Sequence, residues 1–305
     1  MDIIERAAEL LRTSSQGHPK TPTGANRNKD NDNSLIQRAA EGIHGGSGFP
    51  EAGSARQPGV ARPGSNSRTF KIDRGRLQER GMIVPDGKRT AITESFRRIK
   101  RQILENAANT KPEAPPANLV LVTSAVAGEG KTFCAINLAI SIALEIDRTV
   151  LLVDADAAKA SIPPALGLPA EKGLMEVLHD RQIDLSEVLW ATDIGKLSVL
   201  TVGVGHRQHS PELLASENMR ALLREMAERY RDRIIIFDSP PLLAASEASV
   251  LASQVGQIVV VVEAGKTSEA TLKDSLGRLD VSKVAGLLLN KVDGPRLEYG
   301  YGAYG

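Results

Sequence analysis

Residues 119–132, Leu-Val-Leu-Val-Thr-Ser-Ala-Val-Ala-Gly-Glu-Gly-Lys-Thr, constrain this chain more than any other stretch. The apolar run at 119–123 has the length and branching of a buried strand. A turn of small residues follows and ends in Gly128-Glu129-Gly130-Lys131-Thr132. Phe133 to Ile146 is apolar and free of Gly and Pro, which predicts a helix. Strand, Gly-rich loop and helix in that order are the setting of a phosphate-binding P-loop. Glycines let backbone N–H groups turn inward around an anion, and the helix N-terminus adds partial positive charge. Lys131 is placed to reach the outer phosphates, and the Thr132 hydroxyl to ligate Mg²⁺. Ala125 stands where G-x-x-x-x-G-K-[ST] has its first glycine.

The rest of the composition narrows the setting. The 305 residues are 41% hydrophobic and 25% charged, with net charge +1. These values suit one sizeable globular domain with additional segments. Near-neutral charge gives no reason to expect nucleic acid as a partner. The single cysteine, Cys134, excludes an intrachain disulfide and reads as a buried packing residue. No apolar run is long enough to cross a bilayer, and the N-terminal apolar positions are interleaved with charges, unlike a secretory signal. The expected location is cytoplasmic; if the protein works at the inner membrane, a partner takes it there.

Along the chain, Asp2 to Arg12 is a short amphipathic helix candidate, with Ile3, Ile4, Ala7, Leu10 and Leu11 on one face. From Thr13 to about Arg68 the sequence is rich in Gly, Ser, Asn and Pro, which predicts disorder. Within it, residues 34–41 repeat the pattern of residues 2–9, so two weak helices on a tether could engage one partner bivalently. Order is expected again near Phe70. Asp73 to Arg80 predicts a short capped helix closed by Gly81. Thr93 to Glu105 predicts a second, with Phe96, Ile99 and Ile103 as its apolar stripe. Asn106 to Asn118, with Pro112, Pro115 and Pro116, reads as a linker. The division is 1–69, a short helix and a low-complexity region; 70–117, a helical segment with its linker; 118–296, a P-loop domain; and 297–305, a flexible tail.

From Leu119 onward strands and helices alternate, which predicts an α/β P-loop fold with a mostly parallel, doubly wound sheet flanked by helices. Strands are expected near 119–123, 149–153, 197–202, 233–237, 257–262 and 285–289. A helix is expected over 211–230, capped by Ser210 with Pro211 in its first turn, and carrying a structural Tyr230. Trp190 is expected in the core at the end of an amphipathic helix. His179, His206 and His209 show no metal-ligand spacing and are expected at the surface or in packing roles. In such sheets ligands sit at the carboxyl ends of the strands.

Three carboxylates fall at those ends. Leu151-Leu152-Val153-Asp154-Ala155-Asp156 closes a buried strand with two of them, suited to Mg²⁺ coordination and to activating an attacking hydroxyl. Ile234-Ile235-Ile236-Phe237-Asp238 is a Walker-B-type strand whose Asp can reach the metal or its waters. Near the C-terminus, three of the chain's four tyrosines, Tyr299, Tyr301 and Tyr304, alternate with small residues within the last seven. Beside a phosphoryl-transfer site, such exposed phenols read as acceptors.

Together, Ala-Gly-Glu-Gly-Lys-Thr, Leu-Leu-Val-Asp-Ala-Asp and Ile-Ile-Phe-Asp-Ser-Pro-Pro resemble the cytoplasmic domain of the bacterial tyrosine kinases. Pro211-Glu212-Leu213-Leu214, the Glu94-x-x-Arg97-x-x-Lys100 helix and the tyrosine tail extend the resemblance from about Phe70 to Gly305. The opening helix and Phe-Arg-Arg-Ile-Lys-Arg further resemble the stand-alone kinases of exosortase-type exopolysaccharide systems. The resemblance implies an ATP-dependent protein-tyrosine autokinase that regulates exopolysaccharide synthesis and export. Lys131, Asp154, Asp156 and Asp238 would be catalytic. Gly128, Glu129, Gly130, Lys131, Thr132, Phe133 and Asn290 would bind ATP, and Thr132, Asp154 and Asp156 would hold Mg²⁺. Tyr299, Tyr301 and Tyr304 would be phosphorylated, and Glu94, Arg97 and Lys100 would contact neighbours. The implied partners are a homo-oligomeric ring exchanging tails in trans, a membrane polysaccharide co-polymerase as activator, and a phosphotyrosine phosphatase.

The sequence departs from the family pattern at Lys100, where the family has Arg, at Ala157-Ala158-Lys159-Ala160 after Asp156, and at Ala125. Three alternatives stand beside the kinase reading. A partitioning-type ATPase needs a second Lys early in the loop, where this chain has Val126. A GTPase is suggested by Asn290-Lys291-Val292-Asp293, which matches Asn-Lys-x-Asp; the kinase reading assigns Asn290 to the adenine side instead. The third is a non-catalytic, nucleotide-binding regulator of polysaccharide assembly.

Overall fold

The computed structural model describes residues 68–85, 87, 90–109, 115–229 and 232–292. The helix and its repeat expected before residue 68, Tyr230, Asp293 and the tyrosine tail lie outside the described residues.

The described chain opens with a short strand, β1 (Arg68–Phe70). Helix α1 (Arg74–Glu79) follows, capped by the Asp73 carboxylate, which accepts from the Gly75 and Arg76 amides. Gly81 closes the turn at φ +66°. Helix α2 (Ala91–Ala108) starts earlier and ends later than its apolar stripe predicts, because the Thr90 hydroxyl caps it and nothing in 106–108 breaks it. Then come β2 (Leu119–Ser124), α3 (Lys131–Ala143) and β3 (Thr149–Asp154). Short helices α4 (Ile162–Leu166), α5 (Leu174–His179) and α6 (Leu185–Val188) lead to β4 (Leu189–Thr192) and β5 (Leu197–Leu200). Helices α7 (Ser210–Leu214) and α8 (Glu217–Arg229) precede β6 (Arg233–Asp238), and α9 (Ser246–Gln254) precedes β7 (Gln257–Glu263). Helix α10 (Glu269–Leu276) and β8 (Val284–Asn290) complete it.

The strands form one eight-stranded sheet in the order β1-β4-β5-β3-β6-β2-β7-β8. Every pairing is parallel except β4 with β5. Strand alternation sends side chains to two cores. Val120, Val122, Val150, Leu152, Ile234 and Ile236 face one core with α2 and α3. Leu119, Leu121, Leu151, Val153, Ile235 and Phe237 face the other, under α5, α8, α9 and α10. Each fully buried aliphatic contributes about 1.5–3 kcal/mol, so this two-sided burial is the main term holding the sheet together.

Six strands fall where the sequence places them, and β1 and β4 are additional. Trp190 is buried as expected but lies in β4, not at a helix end. It meets Phe70 of β1 edge-on at 6.1 Å, with the Arg68 guanidinium over its ring. One of the two partner strands of β4, namely β1, lies more than a hundred residues away in sequence, beyond the reach of local periodicity, and the other, β5, is its close antiparallel neighbour. The helix expected over 211–230 is two helices. The Ser216 hydroxyl accepts from the Met219 amide and starts α8 afresh. Ser210 is the first residue of α7, with His209 before it and no capping side chain.

The segment before β2 is tied to the P-loop helix by polar contacts as well as by apolar packing. Buried Asn137 on α3 accepts from the Ile83 amide at 2.7 Å. On α2, Lys100 donates to the Ser141 carbonyl at 3.0 Å and pairs with Glu145 at 2.5 Å. Gln257 on β7 donates to the carbonyls of Ile103 and Ala117.

Candidate nucleotide site

The carboxyl ends of β2, β3 and β6 lie side by side and present the P-loop, Asp154 and Asp238 to one space. The loop runs from buried Ala125 to Gly130, which precedes α3. Gly128 and Gly130 adopt φ +93° and +95°, where a side chain is strained. At Gly130 a Cβ would also lie 2.0 Å from the Asn290 amide nitrogen, so glycine is required there on two grounds.

Lys131, the first residue of α3, is buried and pairs with Asp156 Oδ2 at 2.6 Å. Burial alone would lower its pKa, but the charges of Asp238, Asp156 and Asp154 outweigh it and hold the amine above its ordinary value. Thr132 is half-buried beside it. Asp154 is fully buried and accepts from the amides of Asp156 and Ile162. Burial pushes its carboxyl well above the usual range, and the charge of Asp238 pushes it further. Asp238 is raised by burial as well, with Lys131 drawing it partly back. The Thr132 hydroxyl is near enough to favour the ionised form, but it stops short of hydrogen-bond geometry, so both Asp238 oxygens are buried without a partner.

An orphaned, fully buried carboxylate is costly unless something compensates it. A hard divalent cation with its waters fits this place: Asp154, Asp156, Asp238 and the Thr132 hydroxyl offer oxygen only. Among the described residues no cluster of three or more His, Cys, Asp or Glu is arranged to hold a metal ion by itself. Magnesium bound with nucleotide needs none, because phosphate and water fill the remaining positions.

The structure brings Gly128, Gly130, Lys131, Thr132, Asp154, Asp156 and Asp238 into this one site. Other expected residues sit differently. The Glu129 carboxylate turns away from the cradle and accepts from the Val126 amide at 2.7 Å, the Glu263 amide at 3.4 Å and the Thr267 hydroxyl. Only its backbone remains to meet a phosphate. The Phe133 ring packs on the α2/α3 core. Asn290 donates to the Glu129 carbonyl at 2.8 Å. Glu94 and Arg97 pair with each other on α2, at 2.9 Å, and are partly exposed. The Lys100 amine is used within the chain, and its side chain is only 13% exposed.

Two residues beside the site escaped the sequence reading. Glu176, on α5, accepts from the amides of Gly173, Val204 and Gly205 at 2.6–3.0 Å and shapes the loop after β5. Burial opposes its ionisation, but these amides outweigh it and hold its carboxyl below the usual range. A Glu three residues after Gly173, at a helix start, was the available signal. Arg207 donates to the Ala157 carbonyl at 2.8 Å through Nε and braces the turn after Asp156; no local pattern announces it. His206 stacks on His179 with ring centroids 3.7 Å apart, a packing arrangement. Burial raises the Cys134 thiol to about 12, which makes it inert.

Residues 118–281 match the family model described as an AAA domain. The tyrosine-protein kinase YwqD of Bacillus subtilis is 32% identical over 236 residues, covering 76% of this chain and 95% of that protein. The succinoglycan biosynthesis transport protein ExoP of Rhizobium meliloti is 32% identical over 71% of this chain but only 27% of its own length. Among solved structures, the kinase domain of the Escherichia coli tyrosine kinase ETK superposes with a TM-score of 0.57 at 27% identity, covering 77% of this chain and 94% of that one.

Proposed function

We propose, from the premise that this chain belongs to the bacterial tyrosine-protein kinase family, that it transfers the γ-phosphoryl group of ATP to Tyr299, Tyr301 and Tyr304 of its own tail. The observation that carries the reading is Asp238. A buried carboxylate without a partner, in register with Asp154 and close to the P-loop lysine, is the arrangement that a phosphate-bound cation satisfies.

In this reading Lys131 and the amides of the P-loop hold the β- and γ-phosphates. Thr132, Asp154, Asp156 and Asp238 would hold Mg²⁺, which when bound would neutralise charge on the transferring group. A tyrosine oxygen attacks the γ-phosphorus as the bond to the β,γ-bridging oxygen breaks. The phenol proton passes to one of the carboxylates of the site. Lys131 stabilises charge on the departing ADP, and its elevated pKa keeps it protonated for that work.

The wider assignment belongs to the same proposal. Tails exchange in trans within a ring that uses Glu94 and Arg97, the Lys100 amine being taken up within the chain, and phosphorylation adds clustered charge that favours dissociation. The activator is a membrane polysaccharide co-polymerase, a phosphotyrosine phosphatase resets the tail, and the output is control of exopolysaccharide synthesis. The kinship with a succinoglycan transport protein supports that setting. No helix among the described residues is long and apolar enough to cross a membrane, consistent with recruitment by a partner. Transfer of label from γ-labelled ATP to the full chain, and its loss on deleting 297–305, tests the reading. Undiminished labelling of the truncated chain would place the acceptor elsewhere.

A further inference from the structure

Of the Asn-Lys-x-Asp sequence at 290–293, the kinase reading uses Asn290 alone, on the adenine side, and gives Lys291 no role. The first two residues of this sequence lie at the end of β8, on the P-loop. Asn290 Nδ2 donates to the Glu129 carbonyl at 2.8 Å, and Lys291 Nζ donates to the Gly128 carbonyl at 2.7 Å. Lys291 is held from its other side by the Glu263 carboxylate at 3.2 Å. Its backbone sits at φ +56°, a left-handed conformation uncommon for a residue with a side chain.

These contacts fix the orientation of two consecutive peptide units. In a planar trans peptide the carbonyl and the following N–H point in opposite directions. Holding the Gly128 carbonyl toward β8 therefore turns the Glu129 N–H away from β8, and holding the Glu129 carbonyl does the same for the Gly130 N–H. These are amides of the anion-binding turn. The Glu129 side chain completes the brace by binding the Val126 amide, the Glu263 amide and the Thr267 hydroxyl. Glu263 thus serves both arms, through its amide to Glu129 and its carboxylate to Lys291.

We propose that Asn290 and Lys291 are positioning residues that strap the P-loop in its phosphate-binding form, and that Lys291 acts on the phosphate end of the nucleotide and does not select the base. This rests on the reading of the site as a nucleotide site. A strap of this kind raises affinity for any nucleoside triphosphate by the same factor, because it prepays the ordering of the loop. A base-reading lysine would change the ratio between adenine and guanine nucleotides.

The test is equilibrium binding of fluorescent ATP and GTP analogues, with Mg²⁺, to the full chain and to Lys291→Met and Lys291→Arg. Lys291→Met is expected to weaken both nucleotides by the same factor, about tenfold, as for loss of one charge-assisted hydrogen bond. Arg, which can still donate to the Gly128 carbonyl, should recover much of the loss. Hydrogen exchange of amides 126–131 in nucleotide-free protein should speed up in Lys291→Met while exchange in β3 and β6 stays unchanged; this readout separates loop positioning from general destabilisation. Unchanged affinity, an altered ATP-to-GTP ratio, or faster exchange throughout the sheet would each overturn the inference while leaving the nucleotide site standing. Failure of the unmodified protein to bind either analogue would overturn the nucleotide reading itself and this inference with it.

Discussion

Asp154 and Asp238 face each other in register at the ends of β3 and β6, both fully buried, and of their two carboxylates only that of Asp154 has hydrogen-bond partners. Two carboxylates in such a place repel each other, and Lys131 offsets only part of the burden. The nucleotide-free fold therefore carries a local cost that the bound state relieves, as expected where function and stability compete.

Replacing Asp238 with Asn removes one of the two competing carboxylates. The nucleotide-free variant should melt no lower than the parent and is expected to gain about 1 kcal/mol, the order of a relieved buried repulsion. Its Mg-ATP-dependent tyrosine phosphorylation should fall by about a hundredfold or more. Calorimetry beside a phosphotransfer assay checks both halves. A variant that melts lower and keeps its activity would mean that Asp238 is a structural residue.

Gly130→Ala tests the loop geometry. Its Cβ would need a left-handed backbone and the space held by the Asn290 amide. Nucleotide affinity should drop below detection, while the far-ultraviolet dichroism stays that of the parent. Retained affinity would show that the loop can be remodelled without loss.

Glu176 gives a prediction with a sign in pH. Its pKa is lowered on folding, so its contribution is fully present above the ordinary carboxylate value of about 4.3 and is lost as pH falls through the lower folded value. Glu176→Gln sets an NH₂ group against amide donors and should cost about 2 kcal/mol at neutral pH. The gap in melting temperature between parent and variant should be constant above about pH 5 and narrow below about pH 4. A gap that does not depend on pH would mean that the charge contributes nothing.

Lys100 separates two uses of α2. Its amine is bound to the Ser141 carbonyl and to Glu145. Lys100→Met should lower the stability of the monomer by about 1–2 kcal/mol, read by denaturant titration under dilute conditions. Arg97→Ala should leave monomer stability within about 0.5 kcal/mol of the parent. An effect of Lys100→Met on oligomeric state alone would show that the residue works between chains.

Much of this architecture was legible because burial and chemistry share short windows. The run Leu119–Ser124 with its glycine turn, and the apolar strands ending at Asp154 and Asp238, each carry strand, loop and ligand chemistry within a few residues. Strand β4 was not, since its four residues are too few for a clear alternation and one of its two partner strands, β1 with Phe70 and Arg68, lies far back in the chain. Nor was the interior of the loop. Glu129 reads as a ligand beside Lys131 until the donors around it, at Val126, Glu263 and Thr267, turn its carboxylate the other way. The break between α7 and α8 was in plain view as Ser216, but an apolar pattern that continues through it hides a cap.

The central claim is tested most directly by mass spectrometry of the C-terminal peptide after the full chain is incubated with Mg-ATP and membranes carrying its activator, beside a Lys131→Met control. The account predicts phosphate on Tyr299, Tyr301 and Tyr304 in the parent and none in the control. Three unmodified tyrosines in the parent, or equal modification in the control, would contradict it.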